Sequence, residues 1–305
     1  MIRTMQEIVD AAAAGSRCSM AVACAADKAV LEAVCAAEEK GLISPILVGD
    51  KAEILRIALE NGLKIKEDSI VDIPDKAEAC QEAARLTGEG RASLIMKGMV
   101  DTSYIMKAVL NKDNGLRTGR VLSHVAAIEV GGYDHLFMVT DSALNIAPDL
   151  SQKVHIAENA AEAAHALGID EPKVAVLCAV EKVNPKMQCT LDAAELKKMN
   201  EEGAITGCVI DGPLALDNAV SPEAAKHKGI ESRVAGNADI LLVPEIEAGN
   251  MLNKAMEHFA HGKKAGVIMG AKVPVVLVSR ATSAESKMYS IALGSLIAAK
   301  TREEI

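Results

Sequence analysis

The chain has no tryptophan, and its aromatic residues are only two phenylalanines and three tyrosines among 305 residues. Half of the residues are hydrophobic, so the core must be built from Ala, Val, Ile, Leu and Met. That composition suits helices packed closely on a parallel sheet. The length predicts one large domain or, better, two domains of ordinary size.

The chain also lacks any run of basic residues, and its net charge is −9 with a pI near 5.4. A nucleic-acid-binding surface usually shows clustered Lys and Arg, so we expect no nucleic acid partner. An anionic substrate would have to be held by local cations and not by the overall field.

None of the seven cysteines forms a C-x-x-C pair. Most lie in apolar or Ala-rich runs, which indicates reduced thiols in a cytoplasmic protein. Charged residues at Arg3, Glu7 and Asp10 argue against a signal peptide. No apolar run reaches the roughly 18 residues of a membrane span, so we expect no membrane partner.

Several catalytic motifs are missing. There is no G-x-x-x-x-G-K-[ST] phosphate loop and no G-x-S-x-G nucleophile elbow. The seven histidines show no H-E-x-x-H or comparable spacing, so we expect no metal site.

Apolar strand patterns alternate with Ala- and Glu-rich helical patterns almost throughout. This alternation predicts an α/β fold with a largely parallel sheet. Helical patterns include Asp27–Lys40, Lys51–Asn61 and Val154–Leu167. The candidate strands are Met20–Ala25, Pro45–Val48, Ser69–Ile73, Ser93–Met96, Val121–Val130, His135–Thr140, Lys173–Val180, Ile205–Ile210, Asp239–Val243, Gly266–Met269 and Pro274–Ser279.

One interval departs from the alternation. Val121–Val130 and His135–Thr140 are strand patterns separated by Gly-Gly-Tyr-Asp, which predicts an antiparallel hairpin. Such a pair often marks an edge or a domain junction, so we place the boundary after it, near Asp141–Pro148.

The most informative stretch begins with the apolar run from Pro274, which predicts a buried parallel strand ending at Ser279 and Arg280. A helix is predicted to begin near Ser283, with Ser283 and Ser286 as possible caps and Glu285 in the first turn. Ligands of open α/β sheets bind at the carboxyl ends of the strands, and helix N-termini favour anions. The stretch therefore predicts a site for an anionic substrate.

Other cations stand next to predicted strands. Arg117 and Arg120 flank a turn before one strand, and Lys97 and Lys186 follow the ends of two others. Guanidinium groups match phosphate oxygens in geometry, so Arg117, Lys97 and Lys186 are candidate phosphate ligands. Solvated loops are the alternative.

Two further segments follow predicted strands and are candidate functional loops. Asp211 and Asp217 lie in DGPLALD, where the alternative is an N-cap by Asp211 with Asp217 solvated. Gly249 and Asn250 open a predicted helix, where a glycine allows close approach of a ligand. A plain strand-to-helix turn explains them equally well.

Five long segments of the chain belong together as motifs: LNKDNGLRTGRVLSHVA, CAVEKVNPKMQCTLDAAEL, DGPLALDNAVSPEAAKHKGI, VAGNADILLVPEIEAGN and PVVLVSRATSAESKM. Taken together, they resemble the phosphate acetyl/butyryl transferase family. The resemblance covers nearly the whole chain, and the VNPKM, DGPLALD and HKG stretches favour its butyryl branch.

The resemblance implies reversible transfer of a short-chain acyl group, butyryl above all, between coenzyme A (CoA) and phosphate. It implies two α/β domains flanking a cleft, like those of isocitrate and isopropylmalate dehydrogenases. We expect residues 1–142 and 270–305 to form the first, discontinuous domain and residues 143–269 the second. It further implies a homodimer or higher homo-oligomer with no metal or redox cofactor.

Site residues carry over unevenly from this resemblance. Ser279 and Arg280 match a Ser-Arg pair of the acetyltransferases that lies near the CoA sulfur and the phosphate or carbonyl oxygen. The aspartate proposed there as the base falls at Ser286. Glu285 is the nearest carboxylate, but adjacent helix residues point about 100° apart.

Three other functions stay open. A preference for acetyl or another short acyl group would keep the chemistry, because one methylene is worth only about 1–3 kcal/mol. An NAD-dependent, metal-dependent decarboxylating dehydrogenase on the related fold would need clustered carboxylates. A non-catalytic binding module is the third.

Overall fold

The computed structural model describes residues 1–277 and 283–303. The predicted α/β alternation is confirmed. The chain divides into two compact units. The first unit comprises Met5–Arg120 and Ala265–Ile305, and the second comprises Met1–Thr4 and Val121–Lys264.

The strands are β1 (Cys18–Ala23), β2 (Ile43–Gly49), β3 (Ile70–Asp72), β4 (Leu94–Lys97), β5 (Ser123–Glu129), β6 (Phe137–Thr140), β7 (Lys173–Leu177), β8 (Val209–Leu214), β9 (Ile240–Leu242), β10 (Lys263–Met269) and β11 (Val275–Val276). The α-helices are α1 (Met5–Ala14), α2 (Lys28–Glu39), α3 (Lys51–Glu60), α4 (Lys76–Gly88), α5 (Thr102–Val109), α6 (Leu150–Ala166), α7 (Gln188–Glu201), α8 (Leu216–Val220), α9 (Pro222–His227), α10 (Ile246–His258) and α11 (Ala284–Glu303).

In the first unit the strand order is β3-β2-β1-β4-β11-β10. The pairs are parallel except for β10 with β11. All four residues of β4 are buried, as expected for a strand covered on both faces. Asp27, Asp50 and Asp75 cap the helices that follow strands by accepting backbone amides. Each such cap is worth about 1 kcal/mol.

In the second unit the strand order is β5-β6-β9-β7-β8. The predicted hairpin is confirmed, because β5 and β6 pair antiparallel. The remaining pairs are parallel. The scarce aromatics meet at the hairpin, where the Tyr133 and Phe137 rings lie edge to face with centroids 5.6 Å apart. Aliphatic residues form most of the core around them.

Two boundaries differ from the predicted ones. The hairpin belongs to the second unit, which begins at Val121 and not at residue 143, because β6 also pairs with β9 of that unit. The strand predicted at Ile205–Ile210 is instead β8, and it continues through Asp211 to Leu214. Gly212 permits this continuation, because a Cβ there would lie 2.9 Å from the Val176 Cβ on the neighbouring strand.

No helix among the described residues is both long enough and apolar enough to cross a bilayer.

Candidate active site

The predicted strand end in the first unit lies beside β4. β11 pairs parallel with β4, so that Val276 stands opposite Met96. The next residue on β4 is Lys97, and the next residue after β11 is Leu277. Ser279 and Arg280 lie outside the described residues. The described part of β11 therefore runs beside β4 in the same direction, up to Leu277.

Lys97 is buried, with 5% of its surface exposed. Its ammonium group donates to the carbonyl oxygens of Gly98 at 3.2 Å and Val100 at 2.9 Å. In this arrangement the lysine shapes the loop after β4. Its role as a phosphate ligand stays a prediction.

The same loop is locked to the end of β1. The Gly98 amide donates to the Ala23 carbonyl at 2.8 Å, and the Met99 amide donates to the Cys24 carbonyl at 3.0 Å. A Cβ on Gly98 would lie 2.2 Å from the Cys24 oxygen. Only glycine fits there, because real Cβ atoms do not approach an oxygen so closely.

Helix α11 begins as predicted. Ala284 is its first residue, and the Ser283 hydroxyl accepts the Ser286 amide at 3.1 Å, which is the N-cap geometry. Glu285 is exposed in the first turn and accepts a hydrogen bond from the Tyr289 hydroxyl at 2.6 Å. A helix N-terminus thus follows directly on the Ser279-Arg280 segment in the chain.

Arg117 is exposed and lies elsewhere in the first unit. Its backbone bridges to Ala271 in the turn between β10 and β11. That turn precedes β11, so Arg117 and Lys97 lie toward opposite ends of the β4–β11 pair. Within residues 1–277 and 283–303, its guanidinium makes no hydrogen bond or ion pair.

The other predicted residues belong to the second unit. Lys186 is exposed in the loop after β7. Asp211 lies within β8 and pairs with Lys197 at 2.8 Å. Asp217 lies in α8 and pairs with Lys228 at 3.0 Å, and this hydrogen-bonded lysine lowers the pKa of the Asp217 carboxyl. Both aspartates therefore form ion pairs with lysines of their own unit.

Gly249 and Asn250 lie within the first turns of α10, after β9. A Cβ on Gly249 would lie 2.8 Å from the Asp141 oxygen and 3.0 Å from the Ser142 Cα. The glycine thus allows the helix to approach the backbone after β6. The amide of Asn250 donates to the Ser142 carbonyl at 3.4 Å.

The sequence interpretation missed a polar cluster at the carboxyl end of β6. His124 Nδ1 lies 3.0 Å from the Ser142 hydroxyl, and both residues are buried. The Asp141 carboxylate accepts the backbone amides of Ala143 and Leu144 at 2.9 and 3.1 Å. The sequence signal for this cluster is the polar run Thr-Asp-Ser at the end of the predicted strand His135–Thr140. The sequence analysis assigned the residues after that strand to a domain boundary.

Among the described residues, no three His, Cys, Asp or Glu side chains are grouped as metal ligands would be.

A family model described as "Phosphate acetyl/butaryl transferase" matches residues 76–295. The chain belongs to the phosphate acetyl/butyryl transferase family. The resemblance predicted from the sequence motifs is thereby confirmed.

Individual relatives match nearly the whole chain. A phosphate butyryltransferase of Clostridium acetobutylicum is 48% identical over 98% of this chain and 99% of its own. A phosphate acetyltransferase of Thermotoga maritima is 46% identical over 94% of this chain and 97% of its own. The crystal structure of a branched-chain phosphotransacylase from Enterococcus faecalis is 35% identical, with a TM-score of 0.79 over 92% of this chain and 99% of that one.

His124 predicts a loss of stability in mild acid. Burial lowers the pKa of its imidazole, although the charge of Asp141 opposes this. Below the ordinary pKa of about 6.5 the unfolded histidine takes up a proton that the folded one does not, so stability falls as the pH drops through 6.5. We expect His124→Gln to lose less stability than the wild type between pH 7.5 and 5.5, measured by urea unfolding.

The control for this experiment is His258→Gln, which replaces an exposed histidine of the same unit. It should follow the wild-type pH dependence. Equal slopes for His124→Gln and the wild type would contradict a neutral buried His124.

Proposed function

We propose that this chain is a phosphate butyryltransferase that catalyses butyryl-CoA + phosphate = butyryl phosphate + CoA. The observation that carries the proposal is the 48% identity to an enzyme of that name over nearly the full length of both chains. The order of the chain supports it as well. A parallel strand, a Ser-Arg pair and a capped helix N-terminus follow one another in the chain, and helix N-termini favour anions.

The proposed mechanism is direct attack. In the direction that forms butyryl-CoA, the CoA thiolate attacks the carbonyl carbon of butyryl phosphate, and the C–O bond to phosphate breaks. Arg280 stabilises the thiolate and the developing oxyanion, while Ser279 orients the sulfur. Phosphate is a good leaving group, so positioning and charge carry most of the catalysis.

The fold proposal goes one step further than the α/β class. We propose an isocitrate/isopropylmalate dehydrogenase-like fold, supported by two α/β units of which the first regains the C-terminal segment Ala265–Ile305. CoA and phosphate act as substrates, and the reaction needs no metal or redox cofactor. A homo-oligomer built on dimers and a cytoplasmic location stay predictions.

The alternative is another short acyl group. The relative from Thermotoga maritima is named an acetyltransferase and is almost as similar, at 46% identity. The dehydrogenase alternative needs carboxylates that can gather round a metal. Asp211 and Asp217 each pair with a lysine instead, which disfavours that use of them.

The direct test is phosphate-dependent release of CoA thiol from acetyl-, propionyl-, butyryl- and isobutyryl-CoA, without added metal. We expect the highest kcat/KM with butyryl-CoA and no release without phosphate. A highest kcat/KM with acetyl-CoA would indicate that the chain is a phosphate acetyltransferase instead. Release from none of the four would overturn the proposed function, and nearly full activity of Arg280→Ala would overturn the role given to Arg280.

Glu285→Gln tests whether this carboxylate is the base. Glutamine can still accept the Tyr289 hydroxyl, so the local structure should persist. We expect less than a tenfold loss in kcat, because positioning and positive charge are enough to stabilise the CoA thiolate. A loss above about 10²-fold would support a base role instead. Tyr289→Phe is the control, because it removes the hydrogen bond and keeps the carboxylate.

Arg117→Ala tests whether this residue contacts phosphate, although its backbone lies toward the opposite end of the β4–β11 pair from Lys97. The guanidinium is exposed, and a charge-assisted bidentate bond to phosphate is worth about 1.5–3 kcal/mol. We therefore expect the KM for phosphate to rise about tenfold or more, with a smaller change in kcat. Arg17→Ala, an exposed arginine before β1 in the same unit, should keep the wild-type KM. An unchanged KM for phosphate in Arg117→Ala would contradict the phosphate contact and favour the alternative that Arg117 lies in a solvated loop.

A further inference from the structure

Two thiols face each other at the carboxyl end of β1. Cys24 directly follows β1, and Cys80 lies on α4. Their sulfur atoms are 4.0 Å apart, and either thiol can donate to the other. Cys80 is fully buried, whereas Cys24 keeps 7% of its surface exposed.

A pocket of about 220 Å³ gives access to only one of the two. Cys24 lines it together with Gly49, Asp50, Lys76 and Met99, and Cys80 does not. Of the two cysteines, Cys24 is therefore the one that a small molecule in this pocket contacts. Cys80 is then positioned behind the Cys24 sulfur as the second thiol.

Charge favours the same order of reaction. The hydrogen bond from Cys80 lowers the pKa of Cys24, helped by the positive charges of Lys76 and Lys97 and opposed by burial. The same hydrogen bond, together with burial, raises the pKa of Cys80. The thiolate is the attacking species in thiol–disulfide exchange, and Cys24 is the thiol of this pair that lines the pocket, so Cys24 attacks and Cys80 resolves.

The pair is joined to the candidate active site through the backbone. The Cys24 carbonyl accepts the Met99 amide, and Gly98 packs directly on that same carbonyl. Lys97 in turn donates to the Gly98 carbonyl. A backbone shift at Cys24 would therefore displace the loop after β4 as well.

We propose that Cys24 and Cys80 form a dithiol modification site that reacts with small disulfides and closes to a Cys24–Cys80 disulfide. The Cys24 thiolate attacks the reagent RS–SR, forms a mixed disulfide and releases RS⁻. The Cys80 sulfur then attacks the Cys24 sulfur and releases the second RS⁻. The two thiol protons pass to the two RS⁻ ions, so the protein is oxidised by two electrons and RSSR is reduced to 2 RSH.

Closure of the disulfide changes the dithiol site, because the separation of the two sulfur atoms must fall from 4.0 Å to about 2.05 Å. Any backbone shift of Cys24 that accompanies closure would reach Gly98 and Met99 through the Cys24 carbonyl. We infer that the disulfide form is slower in acyl transfer, a consequence that rests on the proposed function. The dithiol site itself does not rest on it.

The test treats the folded, reduced protein with bis(2-hydroxyethyl) disulfide and maps the peptides by mass spectrometry. We expect a Cys24–Cys80 link in the wild type and a mixed disulfide on Cys24 in Cys80→Ser. Cys24→Ser should leave Cys80 unmodified, and Cys35→Ser, which removes a half-buried thiol of the same unit, should still form the link.

Absence of the link in the wild type, or modification of Cys80 in Cys24→Ser, would overturn the proposal. Phenylarsine oxide provides a second measurement that needs no variant, because it bridges only paired thiols. It should bridge Cys24 and Cys80 and block the link, and failure to block it would also count against the site.

Two further readouts separate this proposal from the proposed function. In the linked protein we expect faster hydrogen exchange at the Gly98 and Met99 amides, and a loss of acyl transfer on the order of tenfold that dithiothreitol restores. Unchanged exchange and an unchanged rate would overturn the coupling. A reduced protein without acyl transfer would contradict the proposed function alone, since the peptide map still decides the dithiol site.

Discussion

The close contact between the ends of β1 and β4 is the constraint on which the first unit's candidate site depends. Gly98 has room for no Cβ beside the Cys24 carbonyl, and two amides after β4 donate to the end of β1. This contact fixes where β4 ends and where Lys97 turns back onto its own loop. Because β11 pairs with β4, it also fixes where the chain leaves the sheet toward Ser279 and Arg280.

Local signals in the sequence predicted the elements well. The alternation of apolar and Ala-rich runs, the hairpin and the start of α11 at the Ser283 cap are confirmed. Each depends on residues within a few positions of one another. The unit boundaries depend on which strands pair, and the pairing of β6 with β9 joins residues about a hundred positions apart. No local pattern contains that information.

The site residues show the same limit at the level of side chains. Spacing indicated that Lys97 follows an apolar strand, but not that its ammonium group is buried and bonded to two carbonyls. Likewise, Asp211 and Asp217 were recognisable as carboxylates near a strand, whereas their lysine partners come from other elements. The His124–Ser142 contact joins a residue of β5 to a residue after β6, so no local sequence pattern predicts it.

The question of the base can be argued from magnitudes. A thiol with an ordinary pKa of about 8.5 lies about 1.5 units above pH 7, which corresponds to about 2 kcal/mol. One hydrogen bond to a charged group supplies about 1.5–3 kcal/mol, and a helix N-terminus adds about 0.3–1 kcal/mol. Arg280 and the N-terminus of α11 would together meet that requirement. A dedicated carboxylate is then unnecessary, which fits a chain that has Ser286 at the expected position and a Glu285 already bonded to Tyr289.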